Sequence, residues 1–151
     1  MPDIVSPEVR SQIMARIRGA NTKPEMILRR GLHALGFRFR LHSRHLPGRP
    51  DIVFPRFRAV LFVHGCFWHG HDCHLHRLPT TRQDFWAAKI EANRCRDARV
   101  SEAIGALGWR QGIVWECSMR GRSRLDLEDI IVRCAAWLRS DIPHLEIRGR
   151  E

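Results

Sequence analysis

Apolar residues at Val9, Ile13 and Ile17 repeat at helical spacing behind Ser6-Pro7-Glu8. Ser6 suits an N-cap and Pro7 the first helical position, so a helical arm is expected over about residues 6–20. Gly19 to Asn21 interrupt the pattern, and Thr22-Lys23-Pro24-Glu25 reads as a capping box that opens a second helix. Leu28, Leu32 and Leu35 form its buried stripe and Gly36 ends it. The period then changes from helical to alternating. Phe37, Phe39 and Leu41 interleave with Arg38, Arg40 and His42, the pattern of a half-buried strand. The turn residues Leu46-Pro47-Gly48-Arg49-Pro50 lead into Asp51-Ile52-Val53-Phe54, a second strand stopped by Pro55. Ala59 to Val63 are apolar without interruption, which predicts a central strand covered on both faces and ending at His64-Gly65.

Residues 65–82 form a long polar loop. A helix over 84–107 follows, with a broken apolar stripe of Trp86, Ile90, Val100, Ile104 and Leu107, closed by Gly108. Residues 109–116 give another buried strand centred on Ile113-Val114-Trp115. After the basic loop Arg120-Gly121-Arg122-Ser123-Arg124, a last helix aligns Leu127, Ile131, Cys134 and Leu138. The order α-α-β-β-β-α-β-α predicts an α/β protein with a mixed sheet and helices on its faces. A chain of 151 residues fits one domain, 1–151, with its core over about 22–140.

Composition changes this picture in one respect. The apolar and charged fractions, 44% and 28%, are those of a folded globular protein, but the net charge is +10. Such an excess fits a polyanionic partner. Of the 26 basic residues all but Lys23 and Lys89 are arginine, whose guanidinium suits bidentate phosphate and guanine contacts. The sequence has neither a secretory leader pattern nor a long apolar run, so a cytoplasmic protein without a membrane span is expected. In that setting five cysteines favour metal binding or free thiols over disulfides.

The candidate chemistry is concentrated. Five of the nine histidines and two of the five cysteines lie between His64 and His76. Tetrahedral Zn²⁺ takes four nitrogen or sulfur ligands. Cys66, His71 and Cys73 supply three from this loop, and Cys117, just past the last buried strand, supplies a fourth. His69 in place of His71 satisfies the same spacing. Cys95 and Cys134 read as packing residues. A second signal is Asp51, a lone carboxylate at the start of a strand within a basic loop. It reads either as a turn residue or as the ligand of a divalent cation that meets a phosphate.

Taken together, Leu46-Pro47-Gly48-Arg49-Pro50-Asp51, Phe62-Val63-His64-Gly65-Cys66-Phe67-Trp68-His69, Pro79-Thr80-Thr81-Arg82 with Phe85-Trp86, and Gly108-Trp109 with Val114-Trp115-Glu116-Cys117 closely resemble the very-short-patch mismatch-repair DNA endonucleases. The resemblance runs from about Arg10 to Leu138. It implies a restriction-endonuclease-like αβββαβ core with a mixed central sheet, flanked by an N-terminal and a C-terminal helix. It implies nicking of double-stranded DNA 5′ of the thymine in T:G mismatches left by deamination of 5-methylcytosine. The implied cofactors are catalytic Mg²⁺ and structural Zn²⁺. The implied partners are mismatched duplex DNA and other mismatch-repair proteins, with the enzyme acting as a monomer.

By the same resemblance Asp51 and the Val63 main-chain carbonyl hold Mg²⁺, and His69 handles the proton of the attacking water with His64 beside it. Glu25 contributes through water, although its position equally fits the capping box. Cys66, His71, Cys73 and Cys117 match the zinc ligands. Phe67, Trp68 and Trp86 match aromatics that wedge into the base stack, and the alternative for them is core packing. Nucleases of the wider superfamily carry a second carboxylate and a lysine on the central strand, where this chain has Phe62 and His64. Val63 stands where the family pattern carries threonine, and Gly70 where it carries a further histidine. Two other readings of the whole are a restriction-type endonuclease of the same fold and a non-catalytic, zinc-stabilised DNA-binding module.

Overall fold

The computed structural model describes residues 23–150, so the arm expected over 6–20 and the capping residue Thr22 lie outside the described residues. The first described helix, α1 (Lys23–Ala34), buries Leu28 and Leu32 completely. Leu35 does not join them and is 48% exposed. The helix ends one residue earlier and the chain reverses through Gly36 at φ +96°, which carries Leu35 off the stripe. Phe37 fills the place instead, edge-on to Phe54 with ring centroids 6.2 Å apart.

The strand expected over 37–41 shrinks to β1 (Arg40–Leu41), and Leu41 is exposed at the sheet edge. His42, with φ +48°, leaves the extended region and ends the strand. β1 pairs antiparallel with β2 (Ile52–Phe54), and β2 pairs antiparallel with β3 (Ala59–His64) across a 3-10 turn at Pro55–Phe57. β3 pairs parallel with β4 (Arg110–Trp115). A further strand, β5 (His144–Ile147), lies parallel to β4. The sequence pattern did not announce β5, because only Leu145 and Ile147 alternate there. The sheet order is β1-β2-β3-β4-β5, antiparallel on one side of β3 and parallel on the other.

Two more helices, α2 (Gln83–Ala106) and α3 (Leu127–Leu138), supply the parallel connections. One core joins Leu28 and Leu32 of α1 and Ile130, Cys134, Trp137 and Leu138 of α3 to Phe54, Leu61, Val114 and Ile147 of the sheet. A smaller one packs Ile104 and Val100 of α2 on Val53, Val60 and Phe62. Cys134 is the packing residue expected, but Cys95 is exposed because it points away from the sheet-facing side of α2. Leu107 and Leu127, expected on apolar stripes, sit at helix ends beyond the core and are exposed. The whole is the mixed-sheet α/β architecture of restriction-endonuclease-like proteins.

The pairing fixes which residues meet. Asp51 precedes β2, while Val63 and His64 end β3, and these strands run in opposite directions. Asp51 and the end of β3 therefore share one sheet edge. In the parallel pair β3–β4, His64 is opposite Trp115. Cys66 and Cys117 each lie two residues past that pair, so the register alone brings the two thiols side by side.

At Gly112 in the middle of β4 the space is already filled. A Cβ there would stand 2.5 Å from Leu61 Cδ2 and 3.2 Å from Trp137 Cζ3. Gly112→Ala is expected to lower stability by about 1–3 kcal/mol through overpacking, measurable as a lower urea midpoint with an unchanged m-value.

Candidate active site and metal centre

The sulfur–nitrogen cluster forms as the register requires. The loop after β3 folds back through hydrogen bonds from the His69 amide to the Gly65 carbonyl and from the His71 amide to the Cys66 carbonyl, 3.2 and 2.9 Å. Gly70 turns between them at φ +62°. One ligand atom from each of Cys66, His71, Cys73 and Cys117 lies within 4.8 Å of all the others. His71 Nδ1 is 3.5 Å from Cys66 Sγ and 3.6 Å from Cys117 Sγ. A tetrahedron with bonds of about 2.3 Å to sulfur and 2.0–2.1 Å to nitrogen has an S–N edge of about 3.5 Å. The set thus fits a tetrahedral thiolate–imidazole metal centre.

Its electrostatics agree. Burial pushes the Cys66 and Cys117 thiols above their ordinary pKa, and a dication would reverse that cost by stabilising the thiolates. Burial, followed by Arg148, pushes His71 down, which keeps it as the neutral ligand form. The Gly149 amide donates to Cys117 Sγ at 3.3 Å, and Arg148 pairs with Asp72 at 2.9 Å. The segment after β5 therefore closes the centre. His69, the competing candidate, points elsewhere.

The second centre surrounds a cavity of 780 Å³ lined by Asp51, Val63, His64, His69, His42, Arg49, Asn93, Arg96 and Asp97, among others. Asp51 is 9% exposed, and its Oδ2 accepts a hydrogen bond from the Val63 amide at 2.7 Å. Continuing the β2–β3 register puts Pro50 opposite Val63. Proline has no N–H, so the ladder cannot saturate the Val63 carbonyl, which faces the same side of the strand as its amide. A carboxylate and a carbonyl oxygen are left together at the cavity, a donor pair that suits a hard divalent cation. Burial first, and the Glu25 carboxylate after it, push Asp51 up to about 7 despite the opposing Val63 hydrogen bond.

Glu25 is 1% exposed and its Oε2 accepts from Arg29 Nη1 at 3.0 Å, with His42 Nε2 2.8 Å from the same oxygen. Across the cavity the rings of His64 and His69 stack 3.7 Å apart, only 2° from parallel. His69 Nδ1 meets Asp97 Oδ2 at 2.6 Å, which leaves Nε2 for the cavity. Burial, and then the neighbouring His69, push His64 down to about 3, so it stays neutral. All four candidates, Glu25, Asp51, His64 and His69, therefore belong to one sheet edge.

Trp115 separates the two centres. It stacks on His71 at 4.0 Å and meets His64 edge-on at 5.2 Å. Phe67, Trp68 and Trp86 form a cluster of touching rings with centroids 5.1–5.8 Å apart. These rings are half-buried and belong to neither hydrophobic core. The Asn93 amide holds the Trp68 carbonyl at 2.8 Å.

Sequence reasoning missed Asp97, Asn93, His42 and Trp115 as site residues. Asn93 and Asp97 fall on the same helical face as Ile90, Val100 and Ile104 of α2. The break in that apolar stripe was their signal.

A restriction-endonuclease-like sheet with buried carboxylates and histidines at one edge defines the class, an α/β nuclease fold. Residues 2–75 match the family described as DNA mismatch endonuclease Vsr. The chain is 53% identical over 126 residues to the type II nicking enzyme V.XorIIP of Xanthomonas oryzae pv. oryzae, covering 83% of this chain and 93% of that one. It is 43% identical over 138 residues to the DNA mismatch endonuclease Vsr of Escherichia coli, covering 91% and 88%. It is 37% identical over 123 residues to the type II nicking enzyme V.NmeAIP of Neisseria meningitidis, covering 82% and 88%. The chain belongs to the Vsr DNA mismatch endonuclease family.

The raised Asp51 pKa gives a pH signature. The folded state holds this proton more tightly than the unfolded state, whose value is 3.8, so stability falls as pH rises from 3.8 through about 7. Asn mimics the protonated form. Without added divalent cation, Asp51→Asn is expected to exceed the wild type in stability at about pH 8, by an amount on the order of a few kcal/mol, with the gap closing by about pH 4. Urea midpoints across that range measure it, and a pH-independent gap would contradict it.

Proposed function

We propose that the protein is a Mg²⁺-dependent DNA endonuclease that nicks duplex DNA 5′ of the thymine in T:G mismatches arising from deaminated 5-methylcytosine, and so starts very short patch repair. The observation that carries this reading is the Asp51–Val63 donor pair facing the His64–His69 stack across one cavity, in a chain of this family. Asp51 and the Val63 carbonyl hold Mg²⁺, which supplies charge stabilisation for the phosphoryl oxygens and leaving group. His69 exchanges the proton of the attacking water through Nε2, with Nδ1 fixed on Asp97. His64 packs against that ring as a neutral group and holds its plane. Glu25 sets the charge beside Asp51.

Cys66, His71, Cys73 and Cys117 hold structural Zn²⁺. They tie the loop that carries His69, Phe67 and Trp68 to the end of β4. Phe67, Trp68 and Trp86 enter the base stack beside the thymine, where the wobble pair resists distortion less than T:A. Arginines of 44–49, 120–124 and α2 contact phosphates, so binding weakens steeply with salt. The enzyme acts as a monomer in the cytoplasm.

The deciding experiment compares nicking of otherwise identical T:G and T:A duplexes with and without Mg²⁺. Fast Mg²⁺-dependent nicking of T:G alone is expected. Equal cleavage of both duplexes would favour a restriction-type enzyme, and binding without cleavage would favour a DNA-binding module. Asp51→Ala is expected to abolish nicking with DNA affinity retained, and His69→Ala to slow it about 10²–10⁴-fold. Base–aromatic stacking of about 1–3 kcal/mol corresponds to roughly 5- to 150-fold preference. Trp68→Ala should lose a factor in that range from the T:G over T:A rate ratio while the salt slope of binding stays constant.

Zinc has its own readout. Cys117→Ser is expected to lower both the zinc content and the melting temperature. Stoichiometric zinc in the Cys66→Ser/Cys117→Ser double variant would overturn the ligand assignment.

A further inference from the structure

His42 has no part in the mechanism above, yet its imidazole lies within the carboxylate end of the cavity. One ligand atom from each of Glu25, His42 and Asp51 lies within 4.8 Å of the others. His42 Nε2 and Glu25 Oε2 are 2.8 Å apart. That is close to the roughly 3 Å edge of an octahedron with bonds of about 2.1 Å. The imidazole is also delivered there by the backbone. The His42 amide donates to the Asp51 carbonyl at 3.1 Å, and the residue holds φ +48°, so the main chain beside Asp51 aims the ring at Glu25.

Two buried carboxylates, Glu25 and Asp51, face each other in this corner, with Arg29 on Glu25 at 3.0 Å. With a neutral His42 in its Nδ1–H form, Nε2 presents a lone pair to the cavity side of both acids. Two carboxylates, one imidazole and the adjacent Val63 carbonyl make an O,O,O,N donor set. Mg²⁺ prefers oxygen donors and keeps several waters. First-row transition ions gain from an imidazole nitrogen.

We propose that Glu25, His42 and Asp51 together form a carboxylate–imidazole site that binds Mn²⁺ in preference to Mg²⁺ before DNA is bound. This rests on the reading of Asp51 as a metal ligand and extends it by a nitrogen donor. The consequence is an enzyme charged with its cation in the absence of the phosphate, and one that works at lower Mn²⁺ than Mg²⁺ concentration.

The test uses the zinc-loaded, DNA-free protein titrated with Mn²⁺ alone. Free Mn²⁺ is followed by its EPR signal, and Mg²⁺ is added as competitor. One Mn²⁺ per chain is expected, displaced only by a large excess of Mg²⁺. Pulsed EPR of the bound ion is expected to carry the modulation of a directly coordinated ¹⁴N. His42→Gln keeps a neutral hydrogen-bonding side chain beside Glu25. It is expected to weaken Mn²⁺ binding about tenfold or more, to change Mg²⁺ competition little, and to remove the ¹⁴N modulation. Zinc content and melting temperature equal to wild type confirm that the variant is folded, and Glu25→Gln provides a second route if it is not.

Nitrogen modulation that survives in His42→Gln would assign the donor to His64 or His69 and overturn the proposal. So would Mn²⁺ affinity unchanged by His42→Gln, or no Mn²⁺ bound to the wild type. Asp51→Asn separates the two readings. If it abolishes nicking with Mg²⁺ and DNA while His42→Gln leaves Mn²⁺ binding intact, only the imidazole ligand fails. If Asp51→Asn nicks normally, the metal role of Asp51 fails as well.

Discussion

The point at which β2 stops pairing with β3 governs the rest of this molecule. Two residues past the last ladder pair, Pro50 stands opposite Val63 and offers no amide. The Val63 N–H turns to the Asp51 side chain instead, at 2.7 Å, and its carbonyl is left without a ladder partner. A single imino acid thus converts the end of an ordinary hairpin into an oxygen-rich corner. Because β3 is the central strand, buried on both faces, that corner is fixed against the most rigid part of the sheet.

The parallel half of the sheet uses the same strand for a different purpose. His64 and Trp115 are opposite each other, so the chain leaving β3 and the chain leaving β4 run out together and their cysteines converge. Trp115 forms the wall between the two centres, flat against His71 on one side and edge-on to His64 on the other. Helix α2 completes the arrangement from above. Asp97 takes His69, Asn93 takes the Trp68 carbonyl, and Arg94 takes the Gly70 carbonyl. Three side chains from two successive turns of one helix therefore orient one short loop. A rigid helix, rather than the loop's own few contacts, sets the position of the histidine and the aromatic rings.

The hydrophobic pattern was most informative where burial is continuous. The Ala59–Val63 run, the Leu28/Leu32 pair and the order of helices and strands from α1 to α3 were all legible, because a central strand and an amphipathic helix leave strong periodic traces. Edges were less so. β1 was legible from Phe37, Phe39 and Leu41 but forms only over Arg40–Leu41, β5 alternates at just Leu145 and Ile147, and Leu35, Leu41, Leu107 and Leu127 sit where elements end. Among the chemical residues, those in dense motifs were visible, namely Asp51, His64, His69 and the four sulfur and nitrogen ligands. His42 and Asp97 were not, since each depends on a neighbour 17 or 28 residues away. Their trace was indirect: a polar residue where the period called for an apolar one, or a histidine at the end of a failing strand.

Gly70 and Arg94 carry a mechanical consequence. A Cβ on Gly70 would stand 2.4 Å from Arg94 Nε, and that guanidinium caps the Gly70 carbonyl. The two positions are therefore coupled. A side chain at 70 can be accommodated only as the Arg94 guanidinium swings off the Gly70 carbonyl and Ile90 gives way, and it must also accept a φ of +62°, so the substitution would loosen the tie between α2 and the histidine loop as well as strain the turn.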